Sequence, residues 1–389
     1  MKKYVIQGCV LASIMSAVSC STDFPNIDEG MSGNQIYEDK LYNLLEQYYL
    51  EIHPSTRASL PGFRITEVHN QSYSVAEVLE SDSISLPTRA IEEQDFTVQT
   101  VCMDFGETSG YAVVSDDERL ERVFFFTENG ELSDTTFIRP LRDFFLSVPR
   151  IAADMIVEEN NTILTRSGEV TTYVIEDVVK FKWGQGYPYN REMPACNCQA
   201  YGYHMPTGCV TTAVAQYLAK RGNFKGSYYP NDIPNFSKFP IGGQTPFFTE
   251  SQARQIANYF LEIAQNCQVK FSCEGSGSHM DAVLNYLKEL GINCYIPTSG
   301  WGYNEMIATL AGGIPLIVRG VNSRNMGHMW LLTGVKYRRD LTDYVGNVEY
   351  YCNWGWDGRS EGWMIGNYYT PSNMDPFSKN VRMINTISW

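Results

Sequence analysis

Charge is unevenly distributed along this 389-residue chain, and that limits what the chain can fold into. Residues 21–166 carry 27 acidic and 10 basic side chains, a net of −17, whereas residues 167–389 carry 17 and 18, a net of +1. All seven tryptophans and seven of the ten cysteines lie in the second stretch. Two such compositions in one polypeptide predict two domains, consistent with the length. The overall charge of −14 argues against a nucleic-acid partner held through phosphate contacts.

Residues 1–20 read MKKYVIQGCVLASIMSAVSC, with two lysines before an apolar run and small residues before Cys20. This pattern predicts an export signal. Its ending resembles a bacterial lipobox, which implies a lipid on Cys20, with each buried methylene contributing ~0.8 kcal/mol to a membrane tether. The expected location is the cell surface or outer membrane, or the medium after processing. Beyond this segment no apolar run has transmembrane length.

In the acidic half, apolar spacing predicts a helix from Ile36 to Ile52, strands at Phe96–Phe105, Gly110–Ser115 and Val123–Thr127, and a helix from Ile138 to Val157. Polar sequence between Ile52 and residue 95 is expected to be loop, with His53 and His69 solvated. No nucleophile–base pattern or metal spacing is legible there. The polar stretch 158–170 reads as an exposed joint open to cleavage.

The second half offers a nucleophile. Pro206-Thr207-Gly208-Cys209-Val210 leads into apolar residues at helical spacing through Lys220. Thr207 is a credible N-cap. Cys209 then sits in a first helical turn, where backbone N–H groups favour a thiolate. Alone, the same segment also fits a buried structural cysteine. Of five histidines, His328 heads a strand-like run, Met329-Trp330-Leu331-Leu332, from which an imidazole can face a helix N-terminus across a cleft. His279 opens another helix, and His204 lies in a loop. A returning strand, Val348–Cys352, carries Asn353 and Trp354 toward His328, where Asn can orient the ring and Trp can shield that bond. Gln185, in a loop upstream, can pair with the Cys209 N–H to hold an oxyanion.

The order Gln, Cys, His, Asn-Trp resembles papain-like cysteine peptidases. Gly184-Gln185-Gly186-Tyr187-Pro188-Tyr189-Asn190, Thr207-Gly208-Cys209-Val210-Thr211-Thr212-Ala213, Gly327-His328 and Asn353-Trp354-Gly355-Trp356 resemble the streptopain family in particular. The first half, through Ser109-Gly110-Tyr111-Ala112-Val113-Val114-Ser115 and the acidic residues after it, is similar to that family's propeptides. The resemblance implies Cys209 as nucleophile and His328 as general base and acid. It further implies Gln185 as oxyanion donor, Asn353 and Trp354 as the residues that orient and shield His328, and Gly327 with Ser278 lining the substrate groove. Met329-Trp330 departs from the smaller residues usual after the histidine.

The implied molecule is α+β: a papain-like helical lobe facing an antiparallel sheet lobe, preceded by a small α+β prodomain. Its parts are a signal peptide (1–20, lipid on Cys20), a linker and acidic inhibitory prodomain (21–166) and a peptidase domain (167–389), with cleavage near Arg166–Ser167. Partners are protein or peptide substrates, the chain's own prodomain, and the membrane through the lipid alone. No cofactor or metal is expected. The set Cys196, Cys198, His204 and Cys209 is a weaker metal alternative, and Cys267–Cys273 is the easiest disulfide to imagine. The expected activity is that of a secreted or surface-anchored cysteine endopeptidase made as a zymogen. The alternatives are a papain-like amidase or transpeptidase acting on cell-wall peptides, and an inactive binding lipoprotein. Residues 226–247 are expected to form a long loop that either walls the cleft or covers the core.

Overall fold

The computed structural model describes residues 32–54, 60, 62–74, 95–106, 109–136, 138–162, 171–197, 199–221, 248–297, 302–321, 327–339, 345–366 and 379–386. The expected signal segment with Cys20, the Arg166–Ser167 joint, Cys198 and the 226–247 loop lie outside them.

The order of elements is α1 (Ser32–Ile52), β1 (Arg64–Ser74), β2 (Asp95–Asp104), β3 (Tyr111–Ser115), β4 (Arg122–Thr127), α2 (Arg139–Thr162) and β5 (Thr171–Ile175). There follow α3 (Gly208–Arg221), α4 (Glu250–Asn266), α5 (Met280–Glu289), β6 (Cys294–Tyr295), α6 (Tyr303–Ala311) and β7 (Leu316–Val321). The chain closes with β8 (Gly327–Arg339), β9 (Val345–Asn353), β10 (Gly362–Ile365) and β11 (Lys379–Thr386). This is the α+β class expected. The capping box read from Thr249-x-x-Gln252 forms at the start of α4.

The structure departs from the sequence reading in β1, which occupies part of the polar stretch taken for loop. Its sequence, RITEVHNQSYS, is polar on both faces because it is the outermost strand. His69 is therefore a strand residue, bonded to Glu67, and His53 at the end of α1 faces Glu128.

A second departure is larger. The two compositional halves share one antiparallel sheet of eleven strands, in the order β1-β2-β3-β4-β10-β9-β8-β7-β11-β6, with β5 on β8. The junction is β4 against β10, where Phe126 faces Trp363 and Phe125 faces Met364. One apolar cluster crosses the junction, joining Phe124, Phe144 and Ile156 to Leu316, Trp330, Trp354 and Met383. A second lies under α1 and includes Leu41, Leu45, Phe126 and Trp363. A third packs α3, α4 and α5 on β7 and β8 through Trp183, Tyr217, Phe260, Ile317 and Leu331.

Alternation along β8 follows from this layering. Met329 and Leu331 face the helices, whereas Trp330 and Leu332 face the opposite core. Met329 and Trp330 each fill a core, one on either face of the strand, which accounts for two large side chains after His328.

Candidate active site

Cys209 stands in the first turn of α3, as the sequence predicts. Gly208 before it has φ +84°, and a Cβ there would lie 2.1 Å from the Ser276 carbonyl oxygen. Only glycine fits, so the strap around Ser276 rests directly on the helix start. Ser278 belongs to this strap, but its hydroxyl donates to the Cys267 carbonyl. Any groove-lining part it plays falls to its backbone.

The backbone N–H groups of Met329, Val210 and Cys209 itself favour the Cys209 thiolate. Burial still pushes the thiol up overall, against those donors and the nearby positive charge of Arg319. Met329 directly follows His328 in β8. On this side of β8 the pairing with β9 ends at Leu331–Asn353, and α3 docks at the strand end beyond it. The sulfur thus lies against the backbone beside His328, bringing together two residues 119 positions apart in sequence.

His328 is buried, and its ring stacks on Trp330 at 5.9 Å and 15°. Trp330 in turn meets Trp354 at 5.7 Å. Trp354 is thus linked to His328 through Trp330. The Trp354 indole donates to the Ser360 carbonyl (2.8 Å). Ser360 is held from the first half of the chain: its N–H donates to the Asn129 carbonyl (3.2 Å) and its hydroxyl to Asp134 (3.0 Å). Gly327 is exposed at the head of β8, with the Arg319 guanidinium beside it.

Gln185 is buried, and its carbonyl accepts from the Thr207 N–H (3.1 Å). The Gly184 carbonyl accepts from the Thr212 hydroxyl (3.3 Å). These bonds fasten the glutamine loop to the start of α3.

Asn353 differs from the expectation that it orients His328. Its Nδ2 donates to the Phe181 carbonyl (3.1 Å) and to Gln216 Oε1 (3.1 Å). Its Oδ1 accepts from Gln216 Nε2 (3.0 Å) and the Gly355 N–H (3.1 Å). The reason is register: Asn353 pairs with Leu331, three residues beyond His328 along β8. Gln216 was missed by sequence reasoning, although a glutamine among apolar residues of a buried helix is a legible signal. It also accepts from the Trp183 N–H (3.3 Å), so one side chain of α3 ties the residue before the Gly184-Gln185 loop to Asn353 at the end of β9.

Arg319 was also missed. It faces Met329 across β7 and β8, and it is the one residue of β7 that is not buried.

The expected Cys267–Cys273 disulfide is not formed. Cys267 is a free thiol buried under α4, and Cys273 and Cys196 are each in disulfides. A disulfide sulfur is no thiolate ligand, so Cys196 also drops out of the alternative metal set. His204 Nδ1 is engaged by the Met193 carbonyl at 2.9 Å. His279 takes the N-cap position of α5 without a side-chain capping bond.

Residues 183–364 match the Peptidase C10 family. The chain is 23% identical over 317 residues to streptopain of Streptococcus pyogenes, covering 68% of this chain and 73% of that protein. It is 24% identical over 220 residues to the thiol protease/hemagglutinin PrtT of Porphyromonas gingivalis, covering 49% of this chain and 24% of that one. A fragment of Prevotella intermedia prointerpain A has the same fold, with a TM-score of 0.53 and 19% identity over 81% of this chain and 98% of that one. The match spans the glutamine, cysteine and histidine segments, and with the likeness to streptopain it makes the chain a streptopain-like cysteine peptidase.

Proposed function

We propose that the protein is an endopeptidase made as a zymogen, with Cys209 as nucleophile and His328 as general base and acid. The observation that carries this reading is Cys209 at a helix start, with the N–H of Met329, next to His328, among the groups that favour its thiolate. In the reaction, His328 takes the Cys209 proton and the sulfur attacks a peptide carbonyl. The developing oxyanion is received by the Cys209 N–H and the Gln185 amide. His328 passes its proton to the leaving amine, then activates water to release the acyl group. Asn353 acts at one remove, by fixing Gln216 and the loop that carries Gln185. Trp354 and Trp330 shield the imidazole from one side. Gly327 and the backbone at Ser278 line the groove.

The first half, 21–166, is the inhibitory prodomain of this reading, with 167–389 as the enzyme. Charge complementarity supports it. Glu51 of α1 reaches Lys336 (2.7 Å) and Arg338 (3.5 Å), and Asp134 faces Arg359 (3.7 Å). The Tyr48 hydroxyl donates to Glu349 of β9 (2.5 Å). The prodomain also grips Ser360, and through it the Trp354 indole. Export through residues 1–20 and a lipid on Cys20 complete the proposal.

The test is labelling with an electrophilic cysteine-peptidase probe, before and after proteolysis near Arg166, in parallel with casein hydrolysis. Modification of Cys209 that rises on cleavage and is lost in His328→Ala supports the reading. Full casein hydrolysis by Cys209→Ala, or equal activity before and after cleavage, contradicts it.

A further inference from the structure

Glu67 and His69 lie two residues apart on β1, so their side chains share one face of the sheet. The register sets Glu67 opposite Cys102 of β2, after a bulge between Ile65 and Glu67. One donor atom from each of the three side chains falls within 4.8 Å of the others. Glu67 Oε2 and His69 Nε2 are already 3.0 Å apart. Two ligands at i and i+2 on one strand, with a third across from them, is how a pleated surface converges three donors on one point.

We propose that Glu67, His69 and Cys102 form a zinc site on the prodomain. One thiolate, one imidazole and one carboxylate suit a borderline-soft, tetrahedral ion. Three protein ligands leave the fourth position to water, on the side where Glu67 is exposed. Cys102 forms the buried floor of the site. Its thiol is pushed up to about 12 by burial and by the Glu67 charge, so without a cation it is unreactive. A divalent cation reverses that effect, because carboxylate and thiolate then share a counter-charge. On binding, the Cys102 S–H bond breaks, a Zn–S bond forms and the proton leaves to solvent, about one proton per zinc. The imidazole binds as the neutral ring through Nε2.

The position of the site defines its effect. β1 is the terminal strand of the sheet and is paired along its length with β2. A zinc ion shared by the two strands ties this polar edge to β2, whose Cys102 packs in the cluster beneath α2. Zinc therefore stabilises the prodomain, far from the Cys209 chemistry.

The experiment uses the full-length chain carrying Cys209→Ala, so that the active-site thiol adds no zinc site, titrated with zinc chloride in two buffers of different ionisation enthalpy. The expected result is one zinc bound with release of about one proton and a Tm raised by about 2–4 °C at saturation. Cobalt in place of zinc should show a thiolate charge-transfer band that Cys102→Ser removes. His69→Ala and Glu67→Gln, changed at solvent-accessible positions, should each weaken binding tenfold or more. They keep the test valid if Cys102→Ser fails to fold. Zinc affinity unchanged in both variants, or no binding at micromolar zinc, overturns the proposal.

Discussion

Gln216 and Asn353 exchange amide hydrogen bonds at 3.0 and 3.1 Å, joining the middle of α3 to the end of β9 inside a site where both side chains are buried. Neither residue can be replaced without orphaning polar groups on the other. Gln216→Met keeps the volume but strips Asn353 of two bonds and the Trp183 N–H of its acceptor. The expected loss is about 2–3 kcal/mol in urea denaturation. Peptidase activity of the cleaved protein should fall with it, because the Trp183–Gln185 loop loses its anchor.

Arg319 holds the Cys209 thiol down against the upward push of burial. Arg319→Gln should therefore move thiolate formation to higher pH. The measurement is the rate of Cys209 alkylation by iodoacetamide against pH, in the variant and the parent. The acid limb of the peptidase pH profile should shift in the same direction.

Gly208→Ala forces a side chain into the left-handed region and onto the Ser276 carbonyl. Backbone strain of about 1–3 kcal/mol is expected. The nucleophile moves with the helix start, so kcat/KM should drop about 100-fold even in protein that folds. Gly277→Ala, where a Cβ meets open space, is the control.

Two carboxyls, Glu361 buried and Asp357 half-buried, set a pH dependence of stability. Burial pushes Asp357 up to about 6, against Arg359, and Glu361 up to about 7, against Lys182. In the unfolded chain both groups lose their protons near pH 4. Between there and neutrality the folded protein binds more protons than the unfolded one, so these two groups make stability fall as pH rises. Asp357→Asn and Glu361→Gln should each flatten the fall, measured as Tm from pH 4.5 to 8.

Lys336 is almost fully buried between Glu51, Glu349 and the ring of Tyr48. Lys336→Met leaves Glu349 without its counter-charge and should cost about 3 kcal/mol. The loss should appear first as faster proteolysis of α1, since Glu51 is the partner contributed by that helix.

The parts of the site that proved legible are local. The start of α3 could be read because Val210, Ala213, Val214 and Tyr217 repeat at helical spacing, and the chain head at Gly327-His328 because a strand of apolar residues follows it. What escaped depends on contacts across the fold. Asn353 was read as the orienting partner of His328 because a hairpin brings the two segments close. The register that pairs Asn353 with Leu331 is set by a bulge between Leu332 and Gly334, which leaves no mark in composition. β1 escaped because an edge strand with solvent on its border has no need of alternation. The charge contrast between the halves was real in the sequence, but it did not disclose that they would share a sheet.

That sharing leaves the molecule with a seam. β10 is four residues long, and β4 satisfies its outer row of peptide groups at Trp363 and Met364. Should β4 be withdrawn, that row becomes an open rim beside the buried Glu361 and the Ser360 turn. A rim of this kind must be wetted or must accept extended backbone from another source. On the zymogen reading proposed above, activation is therefore a question of what next occupies the place of β4, as well as of which bond is cut.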